Sequence, residues 1–195
     1  MSAPFQDPLA RFKRWLALAR KQGEQLPEAG ALATVDGRGC PSLRFVLLKD
    51  SNARGFTFYT NAESRKGHQL AANPNASLAF YWHLADRQVR IDGRVRMLSA
   101  AEADRYWAQR PRPSQLASLA SRQSRPMASR KQLLSELRRL ENLYRGRAVP
   151  RPERWTGYRL IARQIEFWRR QEPRLHHREL FTLRGRTWSS RLLQP

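Results

Sequence analysis

The chain has 195 residues, 41% of them hydrophobic and six of them Trp, enough for one folded domain with a real core and too apolar for a disordered tail. No apolar run approaches the roughly 20 residues that cross a bilayer as a helix, and Met1–Asp7 lacks the charged start and apolar stretch of a signal peptide. A single Cys40 excludes an internal disulfide and fits a reducing cytoplasm.

The formal charge is +21, and only five of the 37 basic residues are lysine, so the excess is arginine. Clustered cations release counterions from nucleic acid. Here, however, the basic residues run from Arg11 to Arg191 through every kind of segment. An arginine-decorated surface explains that spread, and physiological nucleic-acid binding is the less favoured reading. Non-specific adhesion to polyanions at low salt is expected either way.

In chain order, Asp7-Pro8 opens a helix with Leu9, Phe12, Trp15, Leu16 and Ala19 on one face. Short extended runs follow at Ala31–Val35, Leu43–Leu48 and Phe56–Tyr59, the first two joined by the turn Asp36-Gly37-Arg38-Gly39. Ser64 caps a short helix that ends at Asn73-Pro74. Strands are predicted at Ser77–Trp82 and Gln88–Met97, the latter with a bulge or turn at Asp92-Gly93. Ser99-Ala100-Ala101-Glu102 is a capping box for a helix through Gln109. Pro111 and Pro113 break it, Ser114 caps a helix to Ser121, and a third helix spans Ser129–Tyr144 with Leu133, Leu134, Leu137 and Leu140 at core spacing. Strands return at Gly157–Trp168, Leu180–Leu183 and Trp188–Leu193. Strands, then helices, then strands predict an α+β fold, a closed antiparallel barrel with helices packed outside, as a single domain over residues 1–195.

Four cation-rich stretches stand out as candidates for binding phosphorylated ligands. Arg174-Leu175-His176-His177-Arg178 follows a buried-looking strand, Ile165-Glu166-Phe167-Trp168. In Arg44-Phe45-Val46-Leu47-Leu48-Lys49, alternation sends Arg44, Val46 and Leu48 to one face and Phe45, Leu47 and Lys49 to the other. A cation at each end of an apolar strand suits a phosphate or a polarised carbonyl, or simply reaches solvent. Tyr59-Thr60-Asn61 with Ser64-Arg65-Lys66 at a helix start makes a phosphate cradle or an ordinary capped surface helix. Tyr106 and Arg110 are i,i+4 neighbours that with Ser114 suit a phosphate monoester, or are routine helix-end residues. His68, His83, His176 and His177 have no metal-site spacing, and no phosphate-binding glycine loop is present.

Taken together, the blocks Arg44–Lys49, Tyr59-Thr60-Asn61, Ser64-Arg65-Lys66, Arg110-Pro111-Arg112 with Ser114-Gln115, Gln123-Ser124, Gln164–Trp168 and Arg174-Leu175-His176 resemble the pyridoxine/pyridoxamine 5′-phosphate oxidase family in order and spacing. The likeness runs from about Asp7 to Pro195. It implies an FMN-binding split barrel, working as a homodimer with flavin at the subunit interface. Carried over by position, Arg44, Phe45, Val46, Leu47, Leu48, Lys49, Tyr59, Thr60, Arg65, Lys66, Gln88, Gln123, Ser124, Trp168 and Arg178 are the implied FMN contacts. Lys49, Tyr106, Arg110 and Ser114 are implied to hold the substrate phosphate, with Arg174, Leu175 and His176 at the pyridine ring and Arg174 and His176 as the catalytic pair. The implied reaction oxidises pyridoxine or pyridoxamine 5′-phosphate to pyridoxal 5′-phosphate with dioxygen as acceptor.

The chain departs from the family pattern at three places. His177 stands where an acidic residue is usual, Arg170-Gln171 replaces a Gly-Gly pair that suggests positive φ, and a basic segment found in longer members has no counterpart before Asp7. Two other readings compete. One is a phenazine-biosynthesis-type flavin oxidase of the same fold, whose tricyclic substrate carries no phosphate. The other is a non-catalytic flavin or pyridoxal-phosphate binder with polyanion contacts.

Overall fold

The computed structural model describes residues 7–195, so the signal-peptide reading of Met1–Gln6 lies outside the described residues. Helix α1 (Pro8–Lys21) starts where expected: the Asp7 carboxylate accepts from the Leu9 N–H, and Pro8 occupies the first turn, where its missing N–H costs nothing. Strands β1 (Ala29–Val35) and β2 (Pro41–Asn52) form a hairpin whose turn is held by Asp36, which accepts from the Arg38 and Cys40 N–H groups at 2.9 Å. The elements β3 (Gly55–Asn61), α2 (Arg65–Ala72), β4 (Asn75–Trp82) and β5 (Arg87–Met97) follow.

Three helices come next, α3 (Ala100–Ala108), α4 (Arg112–Ala120) and α5 (Arg130–Leu143). The chain then returns to strand as β6 (Trp155–Arg169), β7 (His177–Arg184) and β8 (Thr187–Leu193). The sheet order is β3-β2-β1-β4-β5-β6-β7-β8, every pairing is antiparallel, and β3 also pairs with β6. Six strands therefore close into a barrel. Strand β6 extends beyond the barrel by changing partner along its length. Residues 155–160 pair with β3 and residues 164–169 with β7, while β5 follows most of the strand. A register shift in β5 at Asp92/Gly93 bends this seam, as the sequence suggested, and a side chain at Gly93 would meet the Ile161 carbonyl at 2.1 Å.

The barrel interior is aromatic. Phe12 of α1 is fully buried and packs edge-on against Phe56 and Phe80, with Trp82 beside it. A second cluster (Trp107, Leu116, Leu140, Val149 and Trp155) joins the helices to the start of β6. The Ser99–Glu102 capping box is present in both directions.

Two helix expectations change. Helix α4 begins at Arg112 with Pro111 as its N-cap, so Ser114 lies inside the first turn and caps nothing. Of the four leucines expected in the core, Leu133, Leu134, Leu137 and Leu140, only Leu140 is buried and Leu134 is 42% exposed, because α5 meets the body along one narrow edge. Among the described residues, no helix is long and apolar enough to cross a membrane.

Candidate active site

Strand β2 divides its side chains as its alternation requires. Val46 and Leu48 enter the core, while Phe45 (73% exposed), Leu47 and Lys49 face outward. Arg44 is half-buried on the inner face. Its guanidinium donates to the Leu32 carbonyl (3.2 Å), Thr34 Oγ1, Ser42 Oγ and Gln69 Oε1 (3.2 Å), all of them neutral. Burial, with Arg65 nearby, lowers its pKa.

Ser64 caps α2 and delivers Lys66 to the same place. Lys66 is only 7% exposed, and its Nζ donates to Thr60 Oγ1 (3.0 Å), Ser64 Oγ (3.1 Å) and Gln123 Oε1 (2.9 Å). Burial, and secondarily Arg44, pulls its pKa down to about 8. Among the described residues no carboxylate pairs with Arg44, Arg65 or Lys66. Three cations converge with no carboxylate in ion-pair contact among the described residues, although Asp36 feels the charge of Arg65 from further off, and α2 adds the positive end of its dipole.

These residues line a cavity of about 480 Å³ bounded by Ser42, Arg44, Phe45, Thr60, Lys66 and Ser124. A second cavity of about 600 Å³ shares its Tyr59, Thr60 and Gln123 wall and takes in Lys49, Tyr106, Arg110, Ser114 and Trp155. Tyr59 stacks on Tyr106 (centroids 4.0 Å) and on Trp155 (5.2 Å). Arg110 lies over Trp155 at 4.6 Å and donates to the Ser114 carbonyl at 3.3 Å, and burial lowers its pKa. Burial raises the Tyr59 and Tyr106 hydroxyl pKa values. Arg154 donates to the Leu119 carbonyl in the last turn of α4 at 2.6 Å, and in the loop beyond it Ser124 sits at φ 71°.

The other expected site residues gather elsewhere. Gln88 and Arg178 flank Trp168 across β5, β6 and β7. His176 packs on Trp168 (4.8 Å), and its Nδ1 accepts from the Gln171 N–H at 3.3 Å. Arg174 and Leu175 are exposed. Arg174 is the residue with positive φ here (84°), whereas Arg170 and Gln171, at the usual glycine positions, are not left-handed. Tyr59 pairs with Gly157, and Trp168 lies eleven residues further along β6, a strand contour of roughly 35 Å. One chain thus holds the site in two separated groups.

Sequence reasoning missed Thr34, Ser42 and Gln69, which hold Arg44, and Trp155, which floors the second cavity. Thr34 comes in through the β1–β2 pairing, Gln69 through the packing of α2 and Trp155 through β3–β6, while Ser42 is Arg44's same-face neighbour on β2 and could have been found by alternation. A separate cavity of about 710 Å³, with Ala33, Asn75, Asp92, Arg163 and Thr182 among its walls, contains none of the expected residues.

A sequence profile of "Pyridoxamine 5′-phosphate oxidase" matches residues 19–144, and one of "Pyridoxine 5′-phosphate oxidase C-terminal dimerisation region" matches residues 155–195. The chain belongs to the pyridoxine/pyridoxamine 5′-phosphate oxidase family. A pyridoxine/pyridoxamine 5′-phosphate oxidase of Anaeromyxobacter dehalogenans is 48% identical over 189 residues, covering 97% of this chain and 96% of that one. Another, from Zymomonas mobilis, is 46% identical over 190 residues, covering 97% and 99%. Among solved structures, PhzG from Burkholderia lata 383, in complex with tetrahydrophenazine-1-carboxylic acid, superposes with a TM-score of 0.94 at 36% identity, covering 98% and 94%. A pyridoxamine 5′-phosphate oxidase-related, FMN-binding protein of Nostoc punctiforme matches at TM-score 0.77 and 18% identity over 100% and 98%, a likeness of fold alone. This oxidase-family member is therefore an enzyme with an α+β split barrel and carries the family's dimerisation region.

Proposed function

We propose that this protein is an FMN-dependent oxidase that converts pyridoxine or pyridoxamine 5′-phosphate to pyridoxal 5′-phosphate, with dioxygen as acceptor and hydrogen peroxide as product. One observation carries the reading: two cationic cavities with no carboxylate among their lining residues lie side by side, sharing Tyr59, Thr60 and Gln123. Two phosphorylated molecules held next to each other account for that pair.

The buried Lys66, with its lowered pKa, fits a resident dianion, because an anion repays the cost of desolvating the ammonium. Arg44, Arg65, Lys66 and the α2 N-terminus would hold the FMN phosphate, with Phe45, Val46, Tyr59, Thr60, Gln123 and Ser124 around the remainder. Lys49, Tyr106, Arg110 and Ser114 would hold the substrate phosphate. FMN, when bound, supplies the acceptor for the hydride that leaves the substrate C4′, and dioxygen takes the electrons on.

The protein's own task is placement. Arg174 would orient the pyridine ring and stabilise charge that develops on it, and His176 would position the substrate or handle a proton. Gln88, Trp168 and Arg178 would complete the flavin site. Since one chain separates these residues from the cationic cavities, a second copy would bring its own set across a homodimer interface. The exposed β2 residues Leu43, Phe45 and Leu47 offer apolar surface for that contact. The lone exposed Cys40 suits a reducing cytoplasm.

The likeness to PhzG favours a second reading, a phenazine-type oxidase. The Lys49, Tyr106, Arg110 and Ser114 group argues against it, because a phenazine precursor has no phosphate. Anaerobic addition of pyridoxine 5′-phosphate to the FMN-loaded protein decides. Loss of the flavin's visible absorbance that returns with air is expected. Bound flavin that bleaches with neither the pyridoxine nor the pyridoxamine phosphate would overturn the assignment.

A further inference from the structure

We infer that Glu166 is a positioning residue for the flavin site, acting by holding the Arg178 guanidinium. The inference rests on the assignment of Gln88, Trp168 and Arg178 to FMN. On β6, Ile165 and Phe167 are fully buried in the barrel core, and Glu166 faces the other way. It is nevertheless only 3% exposed. A carboxylate that deeply buried persists only when paired.

Its partners form a ladder across four strands. Ser77 Oγ of β4 donates to Asp92 Oδ1 (2.5 Å), and Asp92 Oδ2 lies 3.3 Å from Arg90 Nε, both on β5. Arg90 Nη2 lies 3.0 Å from Glu166 Oε2, an ion pair without hydrogen-bond alignment. Glu166 Oε1 accepts from Arg178 Nε at 2.8 Å, with Nη2 also 2.8 Å away. Arg178 Nη1 then donates to the Gln194 carbonyl at 2.9 Å.

The register places this ladder directly under the expected flavin residues. Gln88 pairs with Trp168, and two residues along on the same face Arg90 pairs with Glu166. Across β6 and β7, Trp168 pairs with Arg178, which reaches diagonally to Glu166. An arginine on a strand has many rotamers, and fixing Nε and Nη2 on one buried carboxylate selects among them before a ligand arrives. Glu166 itself need touch no flavin atom.

The test is FMN affinity of the apo-protein, read from quenching of flavin fluorescence, for wild type, E166Q, R178A and the double variant. Glutamine keeps the size and one acceptor but not the charge. E166Q is expected to weaken FMN binding about tenfold or more in the wild-type background and not at all on top of R178A, since a residue that acts through Arg178 has nothing left to hold. Wild-type affinity in E166Q, or an equal loss in both backgrounds, would overturn the inference. If E166Q fails to fold, E166D, which keeps the charge on a shorter arm, is measured in the same two backgrounds with the same non-additivity expected. If the wild-type apo-protein does not quench FMN at all, the flavin assignment itself fails, a result distinct from unchanged binding in E166Q.

Discussion

Lys66 donates to Gln123 at 2.9 Å, tying the first turn of α2 to the loop after α4 across 57 residues of sequence. The bond closes the wall shared by the two cavities and holds the Lys66 amine where, among the described residues, no carboxylate pairs with it.

That arrangement predicts a pH dependence. The Lys66 pKa is lowered from 10.5 to about 8, chiefly by burial, and a phosphate beside it would raise the value again, so binding takes up a proton. FMN affinity is expected to be level between about pH 7, above the second ionisation of the phosphate at about 6, and about pH 8, and to fall above it by at most tenfold per pH unit. Riboflavin, which lacks the phosphate, should show no such fall. The apo-protein behaves in the opposite sense. Between about pH 8 and 10.5 the unfolded chain holds more protons, so Lys66 makes folding more favourable as pH rises through that window, and a K66M variant should lose this slope in thermal unfolding.

Gly67 tests the cradle's backbone. A Cβ there would stand 2.0 Å from the Ala62 carbonyl oxygen, a contact with main chain that cannot swing away. G67A is expected to cost about 1–3 kcal/mol in unfolding and to weaken FMN more than riboflavin. Unchanged stability and FMN affinity would show that α2 can shift without harm.

Arg110 tests the second phosphate. Losing a charge-assisted contact costs about 1.5–3 kcal/mol, so R110A should lower kcat/KM for pyridoxine 5′-phosphate by about one to two orders of magnitude, mostly through KM. Steady-state kinetics with unphosphorylated pyridoxine should show little change. An equal loss with both substrates would place Arg110 in the fold rather than at a phosphate.

Arg174 tests both the chemistry and the shared site. R174A should lower turnover at least about tenfold and leave FMN affinity intact. Mixed with R110A under subunit exchange, it should recover about a quarter of wild-type activity, because half the dimers are mixed and each carries one intact site. No recovery would mean that Arg110 and Arg174 serve the same site from one chain.

Most of the architecture was legible because the elements announce themselves locally. Asp7-Pro8, Ser64 and the Ser99–Glu102 box mark helix starts through bonds that span three residues or fewer, and each appears where expected. Where a neighbouring element set the outcome, local reasoning went astray. Pro111 displaced Ser114 as the cap of α4, and α5 left Leu134 in solvent despite core spacing. The paired-glycine argument also pointed three to four residues too early, since the left-handed backbone belongs to Arg174 and not to Arg170 or Gln171.

By itself the sequence determined the alternating faces of β2, the caps, the cation clusters and, through the order of its blocks, the family. These depend on spacing within a strand or a helix turn, which covalent geometry dictates. Only the tertiary structure decided that Lys66 is desolvated beside Arg44, that Trp155 stacks under Tyr59, and that Trp168 lies a long strand away from both cavities. Burial and cross-strand register depend on which distant segments meet, and no local spacing encodes the charge state or the partners that follow from that meeting.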